Sequence, residues 1–510
     1  MMTEKYKGLS AAEFFYKNRE IAGFSNPTRA LYQTVRELVE NALDATETHG
    51  ILPTIKVMIK PLDGKVMVKV EDNGIGIPPE EIPNVFGRVF YGSKYQLRQT
   101  RGVFGLGVKM AVLYAQITTG KPIRVVSSMQ NSEFEYEYEV QIDIQHNTPV
   151  ILSLKVRKKR KGHGTLVELI TEGNWFLARR KIESYLRRTA MIAPYATILF
   201  EGPNGSLEIK RASRKLPPPP QVGKYHPKGV DIELLKIMIR NSSKKTTLVE
   251  FLMENFDGVG KITATKFCEW AGFSPDTKLG KLTMEDLEVL ARKMKEYNKW
   301  RRPKPITLSP VSAELLEKGI RHVLNPEFAT AITRPPSSYG GNPFIVEVAL
   351  AYGGEIPPSN TPILYRFANR IPLLYDEGAD VVRKVVDSID WSIYKVKFPA
   401  PIAILTHVCS TKIPFKGVGK EAVADVPEIE KELTTAIREA GRRLRLYLSK
   451  VEKMYAIKRR KVTIEKYIGE VARALAYIDD SSEKVIMAKL RELLKKDIER
   501  RGVAYAEEEQ

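Results

Sequence analysis

Residues 215–229 read KLPPPPQVGKYHPKG, and the four consecutive prolines inside this stretch constrain the folding of the chain more than any other feature. Proline lacks a backbone N–H and holds φ near −65°, so the run fits neither a helix interior nor a central strand. A second break, RRPKPITLSP, occupies 301–310. Together the breaks divide 510 residues into three stretches, expected as domains at 1–225, 226–303 and 304–510. Each stretch is long enough to bury its own core.

The first stretch alternates helical and strand signals. From Thr28 to Thr46, Leu31, Val35, Leu38, Val39, Ala42 and Leu43 fall on one broad helical face. Strands are expected at 54–60, 65–70, 122–128, 133–144 and 164–170. Within the fourth of these, EFEYEYEV alternates apolar and acidic residues, the pattern of an antiparallel strand with one wet face. The stretch reads as a two-layer α/β domain. The middle stretch is helical, and the third is mixed. In the third, strands are expected at 343–354, 362–375 and 401–410, with a charged helical pattern from about Val426 onward. No internal repeat is evident, and the fold class as a whole is α/β, of the α+β kind.

Charge narrows the partners. Lys and Arg number 81 against 61 Asp and Glu, a formal balance of +20. Such a surplus either serves general solubility or meets a polyanion, and nucleic acid is the common one. No apolar run approaches the roughly 18 residues of a membrane span. The polar start MMTEKYKGLS does not read as a secretory signal. Cys268 and Cys409 stand far apart in no metal-like spacing, which points to a reduced, cytoplasmic setting without disulfides or zinc.

Four short motifs carry candidate chemistry. In RELVENALDA (36–45), Glu37 precedes Asn41 by one helical turn, so the two side chains share a face. That face is either a solvated surface or a working edge. EDNGIGIP (71–78) follows a strand, and Asp72 there could accept a hydrogen bond from an exocyclic amine. Gly74 and Gly76 would let the backbone turn with positive φ and approach a ligand. The alternative is a tight Asn-Gly hairpin turn. RGVFGLGVKMA (101–111) sets Gly102, Gly105, Gly107 and Lys109 before an apolar helix, either as a phosphate cradle of N–H groups or as a flexible connector. KGHGTLVEL (161–169) opens a strand with Thr165, which either supports Asp72 or is an ordinary strand residue.

In order and spacing, E-x-x-x-N, D-x-G-x-G, G-x-x-G-x-G and G-T resemble the GHKL ATPase superfamily, whose members include DNA gyrase B subunits, MutL, ninety-kilodalton heat-shock chaperones and sensor histidine kinases. The resemblance implies ATP and Mg²⁺. It makes Glu37 the general base and Asn41 the Mg²⁺ ligand, with Asp72 reading adenine. Gly74, Gly76, Gly102, Val103, Phe104, Gly105, Leu106, Gly107, Val108, Lys109 and Thr165 would line the nucleotide.

FGRVFYGSKY (86–95), TRGVFGLGVKMAVLYAQ (100–116) and HVCSTKIPFKGVGKEAVADV (407–426) resemble more closely the B subunits of archaeal type IIB DNA topoisomerase VI. This resemblance covers nearly the whole chain. It implies a GHKL domain with an N-terminal dimerisation segment, a helix-two-turn-helix insert, and a transducer shaped like the second domain of ribosomal protein S5 with a long C-terminal helix. It also implies that Ser93 and Lys94 touch the nucleotide from a lid, and that Lys420 reaches the γ-phosphate from the transducer. The enzyme so implied relaxes supercoiled DNA by passing one duplex through a double-strand break. An A subunit would make the break within an A2B2 heterotetramer, and ATP-driven dimerisation would form the gate.

The remaining features bear on DNA. In FDGVGKITATKFCEWAGF (256–273), a Gly-x-Gly-Lys turn between helices either presents N–H groups and a lysine to a phosphate or is a plain helical hairpin. Between Arg438 and Lys461, ten basic residues stand against two acidic ones, as a solvated lever or a DNA-facing stripe. No D-x-D pair follows a strand, as a Toprim cleavage site would require, and no tyrosine stands out as a nucleophile. Strand breakage is therefore expected on a separate A subunit. Two rivals are a MutL-like repair ATPase, which is not expected to carry this insert, and a GHKL chaperone, against which the charge argues. A histidine kinase would need a phosphoacceptor histidine ahead of Glu37, and none of the six histidines precedes it.

Overall fold

The computed structural model describes residues 8–507, apart from 93–95, 103–104, 160–161, 418–419 and 480–481. After a short helix α1 (Ala11–Lys17) comes α2 (Pro27–Glu47). Asn26 accepts from the Arg29 N–H and Pro27 occupies the first turn, so both parts of the local signal favour a start there. Leu31, Val35, Leu38, Val39, Ala42 and Leu43 are all buried, as their spacing predicts.

Among the described residues this helix packs on a sheet of eight strands: β1 (Thr54–Leu62), β2 (Lys65–Glu71), β3 (Ile123–Ser128), β4 (Phe134–Asp143), β5 (Thr148–Lys158), β6 (Gly164–Glu172), β7 (Thr197–Gly202) and β8 (Gly205–Ile209). Their order is β5-β4-β3-β6-β2-β1-β7-β8, and pairing is antiparallel except between β1 and β7. Val66, Val68 and Val70 of β2 and Val167 and Leu169 of β6 alternate into the core. There they meet α2, α4 (Gly107–Thr119) and α5 (Trp175–Ile192), while α3 (Ile82–Gly87) packs on β4 and β5.

β5, β7 and β8 are additions to the strands expected from sequence. β5 and β8 form the two sheet edges, where little burial is required and the alternating pattern fades. The wet face expected of EFEYEYEV is only partly so. Glu137 is buried beneath Arg124 (3.1 Å), Arg157 (3.2 Å) and Lys155 (3.5 Å) from the flanking strands.

After the prolines, α6 (Ile232–Arg240), α7 (Leu248–Asn255), α8 (Lys261–Ala271) and α9 (Met284–Glu296) enclose a core of their own around Phe251, Phe256 and Phe267. Thr247 with Glu250 and Thr283 with Asp286 form capping boxes that start α7 and α9. The turn between α7 and α8 takes a positive φ at Gly258, and Gly260 caps α8 without a side-chain acceptor.

Next, α10 (Ala313–Leu324) leads into a second sheet made of β9 (Phe328–Thr333), β10 (Ser337–Tyr339), β11 (Asn342–Tyr352), β12 (Ile363–Ala368), β13 (Ile371–Leu373) and β14 (Ile402–Ser410), with α11 (Val381–Asp387) before β14. The run 362–375, expected as one strand, is a hairpin. Asn369 and Arg370 take left-handed φ values of 48° and 65° and turn β12 back onto β13. α10 packs on α5 so closely that Gly319 lies against the Met191 carbonyl, leaving no room for a side chain. The two sheets consequently share one continuous hydrophobic core.

The chain forms two compact units, one comprising Met1–Ile389 and Phe398–Ala440, the other Asp390–Lys397 and Gly441–Gln510. Helix α12 (Pro427–Asp479) buries Ile429, Leu433, Ala436, Ile437 and Ala440 in the first. In the second, Gly441 meets the Tyr394 ring, Lys395 pairs with Glu452 at 2.6 Å, and Arg473 of α12 pairs with Glu483 of α13 (Glu483–Glu507) at 3.6 Å. All ten basic residues between Arg438 and Lys461 are exposed. Among the described residues, no helix is long and apolar enough to cross a membrane.

Candidate functional site

A cavity of about 1030 Å³ opens in the first unit beside α2. Glu37 and Asn41 line it, one turn apart on the α2 face opposed to neither the core nor bulk solvent. Asp44, another turn on, also lines it and takes a 2.8 Å hydrogen bond from Arg101. The face of RELVENALDA left open between surface and working edge is thus the wall of a pocket.

Asp72 closes the cavity from the end of β2. Its carboxylate accepts from the Gly74 N–H at 2.7 Å and the Thr165 N–H at 3.2 Å. Burial pushes its pKa up to about 6, against those two donors. No hairpin turns at EDNGIGIP, because β2 pairs with β1 and β6 and the chain moves on to α3. Gly76 has a φ of +78°, and a side chain there would strike the Ser128 carbonyl. Gly74 lacks the positive φ expected of it, and is instead pressed between the Asp72 carboxylate and the Ala45 carbonyl. Thr165 lines the cavity, but it supports Asp72 through its backbone N–H, while its hydroxyl lies 3.4 Å from Ser127.

The glycine-rich loop forms the opposite wall. Gly102, Gly105, Leu106, Gly107, Val108 and Lys109 all line the cavity. α4 begins at Gly107, and its N-cap residue Leu106 offers no side-chain acceptor. A methyl group on Gly107 would fall on the Glu37 carboxylate, which places the candidate base directly at this helix start. Lys109 is buried and donates to the Tyr91 carbonyl at 2.7 Å, tying the loop to the segment after α3. Ser93, Lys94, Val103 and Phe104 lie outside the described residues.

Lys420 reaches the same cavity from the second sheet's side, on a left-handed backbone with φ of 54°. Around it lies a set of buried charges that the sequence did not reveal. Arg36 donates to Glu40 and to Glu421, each at 2.8 Å. Glu47 accepts from Arg101 and from Arg370, each at 2.6 Å. Asn369 donates to the Thr100 carbonyl at 3.1 Å, so the β12–β13 turn touches the glycine loop itself. Only the Arg36–Glu40 spacing was visible in one dimension; the other partners lie far apart along the chain.

Residues 26–168 match the family model described as histidine kinase-, DNA gyrase B- and HSP90-like ATPase, and 303–460 match that of the topoisomerase VI B subunit transducer. The chain is 56% identical to the type 2 DNA topoisomerase 6 B subunit of Pyrobaculum aerophilum, over 97% of this chain and 94% of that one. Against the Metallosphaera sedula protein of the same name, identity is 47% over 96% and 93%. The ATPase region of Saccharomyces cerevisiae topoisomerase II aligns over 87% of this chain and 97% of that one, at 14% identity with a TM-score of 0.41. The MutL ATPase domain of Aquifex aeolicus aligns over 74% and 90%, at 13% identity with a TM-score of 0.33. Identity of this extent to topoisomerase subunits leaves the repair-factor and chaperone readings without support. A GHKL-type ATPase domain and a transducer on one chain, with such relatives along nearly its full length, establish that this protein belongs to the family of type 2 DNA topoisomerase 6 B subunits, the ATPase-bearing subunits of that enzyme.

Proposed function

We propose that the cavity beside α2 binds ATP with Mg²⁺ and hydrolyses it to drive a DNA gate. The observation that carries this reading is the convergence of Glu37, Asn41, Asp72, the start of α4 and Lys420 on one cavity. The donor set suits a magnesium nucleotide. Gly76 and Gly107 let the backbone lie against Ser128 and Glu37 where a side chain would collide, the α4 N–H groups suit phosphate oxygens, and Asp72 suits an exocyclic amine. Glu37 takes a proton from the attacking water as general base. Asn41 offers its amide oxygen to Mg²⁺, which would supply charge neutralisation at the phosphates. Lys420, a compact cation, senses the terminal phosphate. Ser93 and Lys94 would cover the nucleotide from the lid.

On this reading, 1–225 is the ATPase domain with a dimerisation segment, 226–303 the helix-two-turn-helix domain, and 304–510 the transducer with its helices. ATP binding dimerises two B subunits around a duplex, while an A subunit in an A2B2 assembly breaks a second duplex. The work takes place on the nucleoid, in the cytoplasm. The uncapped α8 start at Gly260 and the ten exposed basic residues of α12 support phosphate contacts. The test is magnesium-dependent ATPase activity with and without long duplex DNA, beside sizing with a non-hydrolysable ATP analogue. Stimulation by DNA and nucleotide-dependent dimerisation are expected. Turnover indifferent to DNA in a chain that stays monomeric would overturn the gate.

A further inference from the structure

α2 carries two polar stripes. Glu37, Asn41 and Asp44 line the cavity half-buried, while Arg36, Glu40 and Glu47, about a quarter-turn round, border it but are buried. The second stripe is where the other sheet takes hold of the helix. Arg36 stands directly before Glu37, and Glu421 directly after Lys420. The Arg36–Glu421 pair, 2.8 Å long with both residues at most 4% exposed, therefore joins the immediate neighbours of the candidate base and the candidate phosphate sensor.

Glu421 is anchored on three sides. Its carboxylate takes Arg36 and the Tyr375 N–H (3.4 Å), and its carbonyl takes Arg366 (3.2 Å). Arg366 is paired in turn with Asp380 at 2.8 Å, and Asp380 also accepts from the Val423 N–H at 3.0 Å. Directly before these anchors, Lys420 adopts a left-handed backbone, a costly conformation for a residue with a side chain. We infer that Arg36 and Glu421 are positioning residues: their buried ion pair holds the Lys420 loop in register with the helix that carries Glu37 and Asn41, so that Lys420 can meet the terminal phosphate. This inference rests on the roles proposed above for Glu37 and Lys420.

The experiment is a double-mutant cycle in the full-length chain, with Glu421→Gln, Lys420→Ala and their combination. ATP turnover and ADP affinity are measured on each. Glu421→Gln keeps the side chain's shape and removes its charge. It is expected to lower kcat by at least about tenfold, the effect of a small misplacement. ADP lacks the γ-phosphate that Lys420 would meet, so its affinity should stay within about twofold. Because Glu421 acts through Lys420, the double variant should be no slower than Lys420→Ala alone. Arg36→Lys, which keeps the charge and loses the planar fork, should reproduce the pattern and serves if Glu421→Gln folds poorly. Losses that multiply, or ADP affinity falling in parallel with turnover, would reduce the pair to a staple of the fold and overturn the inference. Slow turnover in Lys420→Ala beside normal turnover in Glu421→Gln would overturn the inference alone. Normal turnover in Lys420→Ala would instead sink the reading beneath it.

Discussion

Arg370, in the turn between β12 and β13, donates to Glu47 at the C-terminal end of α2 at 2.6 Å, and both side chains are buried. Arg101 of the glycine-rich loop shares that carboxylate, so helix, loop and second sheet meet on one charge. Burial alone would raise the Glu47 pKa, yet Arg101 and Arg370 outweigh it and hold the carboxyl below its usual range. A depressed carboxylate contributes stability above its unfolded pKa and loses it as pH falls through the folded one. Acid should thus loosen this junction below the ordinary carboxylate range. Glu47→Gln, which strands Arg370, should cost about 3–5 kcal/mol in urea unfolding at neutral pH. A cost under about 1 kcal/mol would show the junction to be replaceable.

Removing the proposed base separates chemistry from binding. Glu37→Ala is expected to lower ATP turnover by about 100-fold or more while nucleotide still binds. Retained turnover, measured by phosphate release, would refute the assignment.

Gly107 offers an independent check on the same geometry. A methyl group there, at the first residue of α4, meets the Glu37 carboxylate. Gly107→Ala should therefore impair hydrolysis although it adds a better helix former. Wild-type kinetics in this variant would mean that Glu37 and the glycine loop part readily.

Asp72 makes recognition of the base sensitive to pH. With a pKa of about 6, it is a carboxylate acceptor above that value and a protonated acid below it. Nucleotide affinity measured calorimetrically should decline as pH falls through 6. The stability effect has the opposite sign: a raised acid pKa means the folded state holds the proton more tightly, so this residue's contribution weakens as pH rises toward 6. Asp72→Asn should bind nucleotide roughly tenfold or more weakly and flatten that pH profile. Unaltered affinity would remove Asp72 from the adenine contact.

DNA binding should depend steeply on salt. With about six to ten phosphate contacts, affinity should drop by about 10³–10⁵ between roughly 50 and 200 mM salt. Lys261→Ala at the α8 start should lessen the logarithmic slope by about one. A slope near zero would assign the +20 surplus to solubility.

What could be read in one dimension was local. The helix Pro27–Glu47, the central strands of the first sheet and the glycine loop before α4 were legible because period, capping and backbone freedom are properties of neighbouring residues. So were Glu37 with Asn41, and Asp72 with Gly76, since each pair lies within a turn or two of chain. The edge strands β5 and β8 escaped notice because an edge buries too little to impose a pattern. The hairpin at Asn369 and Arg370 was hidden in a continuous apolar run, its turn made by residues other than glycine. That Arg36 meets Glu421 across 385 positions, and Arg370 meets Glu47 across 323, emerged in three dimensions alone. A buried charge needs a partner, but electrostatics sets only the sign of that partner. Which residue supplies it is settled by the packing of α10 on α5 and of one sheet beside the other.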